Sequence, residues 1–294
     1  MSTPGARGEV LERRDNCAVS VDHYENFPVA SLLCPAELRP TVTAIYWFAR
    51  TADDIADEGN HSITARLDSL HAYRADLEAT LAGQPVSAGW PRVFETLARA
   101  MQRHQLPAQP LRDLLDAFTQ DASNPLYDTR GQLLDYCRRS ANPIGRLLLH
   151  LYRISDATSL SQSDAVCTSL QLINFWQDLS VDLPRGRVYL PLGELAARGL
   201  ELSDLQAKRH DQSVKAMVRG LCDWAGKLMH EGAPLAQRVP GRAGWELRLV
   251  VQGGLRILDK IGAMGYDTVH HRPTLARADA FTLVWRALTM KPNQ

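Results

Sequence analysis

"TVTAIYWFARTADDIADEG", residues 41–59, joins an apolar run to four acids in six positions: Asp53, Asp54, Asp57 and Glu58. Tyr46, Arg50, Asp53 and Asp57 fall at i, i+4, i+7 and i+11, which is one stripe of a helix. Ile45, Ala49, Ala52 and Ala56 form a small, apolar stripe beside it. The acids therefore border a core-facing side. Like charges at this spacing cost a helix a few tenths of a kcal/mol, and burial costs far more. A solvated helix end would explain one such run.

A second run removes that explanation. "QLINFWQDLSVDLPRGRVYLP", residues 171–191, places Asn174, Asp178 and Asp182 at i, i+4 and i+8. Leu172, Phe175, Trp176 and Leu179 fill its other faces, Pro184 predicts the helix end, and Arg185, Arg187 and Tyr189 follow. Two D-x-x-x-D sets on apolar helices predict four carboxylates converging on a cavity. Without a counter-ion they could not all stay ionised. Mg²⁺, with its preference for carboxylate and phosphate oxygens, resolves the conflict, and the expected ligand is then a diphosphate.

Most other long segments carry helical period. "RLDSLHAYRADLEATLAG" sets Leu67, Leu70, Tyr73, Leu77 and Leu81 on one stripe and ends at Gly83. Alternating runs with hairpin turns are absent, so no strands are expected. Polar breaks at 58–62, 83–91, 105–110, 156–161 and 238–243 have the length of helix connections. Asn142-Pro143 reads as a helix break, and Gly253-Gly254 as close helix packing. The expected fold is all-α, one helical domain over residues 1–294 around a central cavity, with residues 1–20 a loose segment.

The 294-residue chain is 45% hydrophobic, enough for a sizeable core, and carries 33 basic and 33 acidic residues. That neutrality gives no electrostatic reason to bind nucleic acid. Five widely spaced cysteines, with no CxxC pair, signal neither a zinc site nor a disulfide framework. No apolar signal segment and no run of about 18 apolar residues is seen. The expectation is a cytoplasmic protein, at most peripheral to the inner face of a membrane.

The stretches "YWFARTADDIAD" (46–57), "YCRRSANPIG" (136–145) and "NFWQDLSVDLPRGRVYLP" (174–191) resemble the squalene/phytoene synthase family. "HYENFPVASLLCP" (23–35) resembles its hopanoid-pathway hydroxysqualene synthase subgroup. The resemblance implies the isoprenoid synthase fold and Mg²⁺-assisted ionisation of a prenyl diphosphate, with Mn²⁺ as an alternative. For the subgroup it implies presqualene diphosphate and water as substrates, made available by a sibling presqualene diphosphate synthase. It implies transient membrane contact and no NADPH.

Residue by residue, Asp53, Asp57, Asp178 and Asp182 match the family's metal-binding aspartates, with Asn174 in the second motif. Arg50 matches an arginine that faces diphosphate. Tyr46, Tyr136 and Tyr189 match cavity tyrosines, and His23 an entrance histidine. Arg187 and Arg272 are further candidate diphosphate cations. Phe27 and Phe175 are candidate substrate-facing rings, with Phe48 and Trp176 as further candidates for stabilising a cation. Gln177 and Glu25 stand where relatives that condense two farnesyl diphosphates carry other residues. Both changes lower positive charge, as suits a site for one diphosphate, and Glu25 could orient a water. The alternatives are a condensing enzyme for farnesyl or geranylgeranyl diphosphate, and a non-catalytic assembly protein of the same fold. Intact aspartate motifs disfavour the second.

Overall fold

Pro40 stands in the first turn of the segment after Leu38, where its missing N–H is no loss, and a helix runs from there to Asp57. The computed structural model describes residues 34–290. His23, Glu25, Phe27 and the expected loose segment at 1–20 lie outside the described residues. In chain order the helices are α1 (Arg39–Asp57), α2 (Ile63–Leu81), α3 (Pro91–His104), α4 (Ala108–Asp121), α5 (Arg130–Ser140), α6 (Asn142–Leu151) and α7 (Ala157–Gln177). There follow α8 (Leu179–Asp182), a 3₁₀ turn at Leu183–Arg185, α9 (Leu192–Ala196), α10 (Leu202–Gln206), α11 (Gln212–Gly232), α12 (Leu235–Arg238), α13 (Gly241–Ala263) and α14 (Asp279–Thr289). Among the described residues the only β pairing is an isolated bridge between Tyr127 and Pro191.

Two large apolar cores organise these helices, beside a small cluster of Leu149, Leu235, Val239 and Ala243. The first gathers Ile45, Phe48 and Ala52 of α1 with Leu70, Tyr73, Phe94, Leu97, Leu111 and Leu114 of α2–α4. The Tyr73 hydroxyl, taken out of water, donates to the Phe48 carbonyl at 3.0 Å and so ties α2 to α1. The second core gathers Leu172, Ile173 and Trp176 of α7 with Met217, Leu221, Ala225 and Met229 of α11 and Val251 and Ile257 of α13. Here backbones approach closely. A Cβ on Gly232 would stand 2.6 Å from the Gln162 carbonyl oxygen, so only glycine fits. The Ser169 hydroxyl closes the same contact by donating to the Ala225 carbonyl at 2.7 Å. The expected role of Gly254 holds too, since a Cβ there would meet Met229, Leu170 and Ile173 within 3.2 Å.

The connections behave as their chemistry requires. Ser62, Asp156 and Asp211 cap α2, α7 and α11 with their side chains. Thr129 and Gln132 form a capping box at α5. The chain breaks between α5 and α6 at Ala141, just before Asn142-Pro143. One boundary differs from expectation. The long helix ends at Gln177, not at Pro184, because Asp178 adopts φ −99° and ψ 11° and restarts the chain as the single turn α8. No helix among the described residues is long and apolar enough to cross a membrane.

Candidate active site

Between the two cores lies a cavity of about 1300 Å³. This exceeds the roughly 300–1,000 Å³ usual for a small-molecule site. α1 supplies Tyr46, Ala49, Arg50, Asp53 and Asp57 to its wall, and the end of α7 with the following turns supplies Asn174, Asp178, Asp182, Arg187 and Tyr189. Tyr136 of α5 and Arg272, from the segment between α13 and α14, complete it. Thus every candidate on a described residue lines the cavity except Phe48, Phe175 and Trp176. Apolar wall comes from Ile63, Phe118, Ala122, Ile144, Leu170 and Val181.

The charges are interleaved. Arg50 reaches Asp53 at 3.2 Å, Asp54 at 2.6 Å and Glu58 at 2.9 Å. Asp54 and Glu58, turned away from the Asp53–Asp57 stripe, therefore hold the arginine that serves it. Arg187 spans to α1 and meets Asp57 at 2.9 Å. Arg272 grips both oxygens of Asp178, at 2.5 and 3.3 Å. These cations do not neutralise the acids fully. Burial, then the charge of Asp57, pushes Asp53 up to about 6 against the pull of Arg50. Burial, then Asp178, pushes Asp182 up to about 6. Burial also raises Asp57, against Arg187 and Arg66.

The donor set fits a hard divalent cation. Four carboxylates on facing segments offer oxygen ligands only, which selects Mg²⁺ or Mn²⁺ over softer metals. The raised proton affinity of Asp53, Asp57 and Asp182 reflects their burial first, and for Asp53 and Asp182 also a neighbouring carboxylate.

A fifth aspartate in the wall was not foreseen. Asp121, the last residue of α4, is buried and accepts hydrogen bonds from the hydroxyls of Tyr136 at 2.7 Å and Tyr189 at 3.3 Å. Burial lifts it to about 7, with the Tyr136 bond opposing. Both phenols are themselves pushed far up by burial, so they stay protonated donors. A signal existed in "FTQDASN": an acid in the last turn of a helix opposes the helix dipole, so its placement needs another reason. Arg66 also reaches the cavity, bonding the carbonyls of Ala56 and Gly59, so it braces the end of α1.

Phe175 is a correction. It is buried, 3% exposed, and stacks flat on Tyr189 with ring centroids 4.2 Å apart and planes 4° apart. Its ring backs Tyr189 and does not face the cavity, because its position on α7 turns it toward the second core. Phe48 and Trp176 are likewise fully buried in the two cores. Trp47, between Tyr46 and Phe48 on α1, is 43% exposed.

The fold and site define a class: an all-helical protein in which two aspartate-bearing helices face one another across a large, partly apolar cavity. The squalene/phytoene synthase family model matches residues 21–279, and the chain belongs to that family. A hydroxysqualene synthase of Rhodopseudomonas palustris is 34% identical, over 77% of this chain and 75% of its own length. A phytoene synthase of Thermus thermophilus is 32% identical, over 86% and 84%. The crystal structure of squalene synthase HpnC from Alicyclobacillus acidocaldarius superposes with a TM-score of 0.76 at 37% identity, covering 83% of this chain and 90% of that one.

Proposed function

We propose that the chain acts as a hydroxysqualene synthase, converting presqualene diphosphate and water to hydroxysqualene and diphosphate. The observation that carries this reading is the convergence of Asp53, Asp57, Asp178 and Asp182 with three arginines in the wall of a cavity of about 1300 Å³. A diphosphate suits these charged residues and a C30 hydrocarbon the apolar wall. The similarity to proteins of that name supports the choice within the family. The enzyme is read as a single domain over residues 1–294.

The four aspartates would hold Mg²⁺, or Mn²⁺. When bound, the metal neutralises diphosphate charge and so favours departure of the diphosphate. Arg50, Arg187 and Arg272 sit where they can add positive charge to the same leaving group, and electrostatic stabilisation of this kind is usually the largest catalytic contribution. As the carbon–oxygen bond breaks, the electron pair leaves with diphosphate. The cyclopropylcarbinyl cation then rearranges within the cavity. Tyr189, backed by Phe175, and Tyr136 present aromatic surface, and contacts of this type stabilise a cation by roughly 0.5–2 kcal/mol each. Asp121 holds both phenols in place. Water captures the allylic cation, and its proton passes to the released diphosphate. No nicotinamide is required by this sequence of steps.

Incubation of the protein with presqualene diphosphate and Mg²⁺, without NADPH, in ¹⁸O-water tests the proposal. Hydroxysqualene carrying the label is expected, and squalene formed only when NADPH is added would overturn it. The similarity to a phytoene synthase favours a second reading, condensation of farnesyl or geranylgeranyl diphosphate. Efficient turnover of either alone would select it. Glu25→Ala is expected to shift products toward eliminated hydrocarbons if Glu25 orients the water. We also read the protein as cytoplasmic and in transient contact with the membrane, where a C30 substrate partitions, supplied by a sibling presqualene diphosphate synthase. Failure to co-sediment with substrate-loaded liposomes would remove the membrane contact.

A further inference from the structure

Away from the carboxylate cavity, a second group of ligand atoms converges at the start of α11 and the turn after α13. The α13 helix closes on Gly265 in the left-handed region, φ +67°, with the Tyr266 amide donating to the Ile261 carbonyl at 2.9 Å. This helix ending fixes the direction of the next residues, "DTVHHRP" (267–273). Thr268 and Val269 are buried, and the His271 amide donates back to the Asp267 carbonyl at 3.2 Å. The turn is thereby anchored, with Asp267 and His270 on one side of it. His210 approaches from the opposite element, one residue before Asp211 caps α11.

Asp267 Oδ1 lies 2.8 Å from His270 Nδ1 and 3.5 Å from His210 Nε2, and the three ligand atoms are within 4.8 Å of one another. Two ligands on a tetrahedral metal with bonds of about 2.0–2.1 Å stand about 3.3 Å apart. The His210 separation is close to that and is long for a hydrogen bond. His210 Nε2 is also buried and makes no hydrogen bond among the described residues, an orphaned polar atom of the kind a ligand normally satisfies. The two imidazoles meet edge to face, 5.4 Å between centroids, which keeps both rings turned toward the same carboxylate.

We propose that His210, Asp267 and His270 form a binding site for a divalent first-row transition-metal ion, with Zn²⁺ the best-suited probe, distinct from the carboxylate cavity. The two sites differ in chemistry. Four carboxylates select a hard ion, whereas two imidazoles and one carboxylate select zinc or a neighbouring ion over Mg²⁺. Three protein ligands leave a fourth position for water. His270 is two residues from Arg272, whose guanidinium grips Asp178 across the cavity wall. A metal at His270 therefore stiffens the segment that carries a cavity cation. The importance of that link rests on the diphosphate reading above, while metal binding does not.

The test is titration of the purified full chain with Zn²⁺ in excess Mg²⁺, which occupies the carboxylates, without substrate. Wild type is expected to bind one more Zn²⁺ than His210→Ala or His270→Ala, or to bind it at least tenfold more tightly. His271→Ala, with its ring 71% exposed and 4.0 Å from Asp267, is expected to bind as wild type does. Circular dichroism checks that each variant is folded. Wild type loaded with Co²⁺ is expected to show the strong visible absorption of a tetrahedral nitrogen-containing site, which octahedral carboxylate coordination lacks. Equal Zn²⁺ binding by folded wild type and both histidine variants, or only weak octahedral Co²⁺ absorption, would leave an Asp–His ion pair alone and overturn the proposal.

Discussion

Replacing Asp53 by Asn is expected to stabilise the metal-free protein above neutral pH, although it removes an ion pair. Burial and the charge of Asp57 raise the Asp53 carboxyl from 3.8 to about 6. A group whose folded pKa exceeds its unfolded value contributes stability that is fully present below pH 3.8 and is lost as pH rises through about 6. A shift of roughly two units corresponds to about 3 kcal/mol. The side chain keeps 39% exposure toward the cavity, so solvent screening reduces the gain expected from Asn to about 1 kcal/mol. Arg50 is not orphaned by the change, because Asp54 and Glu58 still hold it at 2.6 and 2.9 Å. Thermal melts in EDTA at pH 4, 5.5 and 7.5 measure the difference. The variant should match wild type at pH 4 and melt about 2–4 °C higher at pH 7.5. Added Mg²⁺ should then raise the wild-type midpoint more than that of the variant, since only wild type keeps all four carboxylates. A variant no more stable than wild type at pH 7.5, or a gap independent of pH, refutes the reasoning.

Asp178→Asn weakens both the carboxylate set and the grip on Arg272, so turnover of presqualene diphosphate should fall by roughly 10²–10³ with the circular dichroism unchanged. Near-normal turnover at saturating Mg²⁺ counts against the site. Asp121→Ala leaves the buried Tyr136 hydroxyl without its acceptor and should lower stability by about 1–3 kcal/mol in urea melts at pH 5.5, where the acid itself is largely protonated. Asp121→Asn keeps an acceptor and should lose less; equal losses would deny Asp121 its role in holding the phenol. Gly232→Ala drives a Cβ to 2.6 Å from the Gln162 carbonyl oxygen and 2.8 Å from the Val166 nitrogen, a backbone clash expected to cost about 1–3 kcal/mol. Gly226→Ala meets only the Leu258 side chain, at 3.5 Å, so its melting point should be unchanged or slightly higher.

The helices and the pairing of acidic stripes were legible in the sequence because both are local. Residues at i, i+4 and i+7 share a face wherever a helix forms, so Tyr46, Arg50, Asp53 and Asp57 had to point one way together. The same rule aligned Asn174, Asp178 and Asp182, and the break at Asn142-Pro143 follows from proline chemistry alone. Arg187 follows the second motif directly, whereas family resemblance added Arg272, which no local spacing connects to the aspartates. What only the tertiary structure decided is which faces of distant helices meet. Asp121 lies at the end of α4, and its value as an acceptor exists because α5 and the segment after α8 bring Tyr136 and Tyr189 to it. The rotation of α7 against α11 turns Phe175 behind Tyr189, although its neighbour Asn174 faces the cavity. His210 and Asp267 stand 57 positions apart in sequence and meet at 3.5 Å through the docking of α11 beside α13. Helical periodicity fixes the direction of a side chain relative to its own axis. Packing of the two cores fixes where those axes lie, and charge meets charge only once both are set.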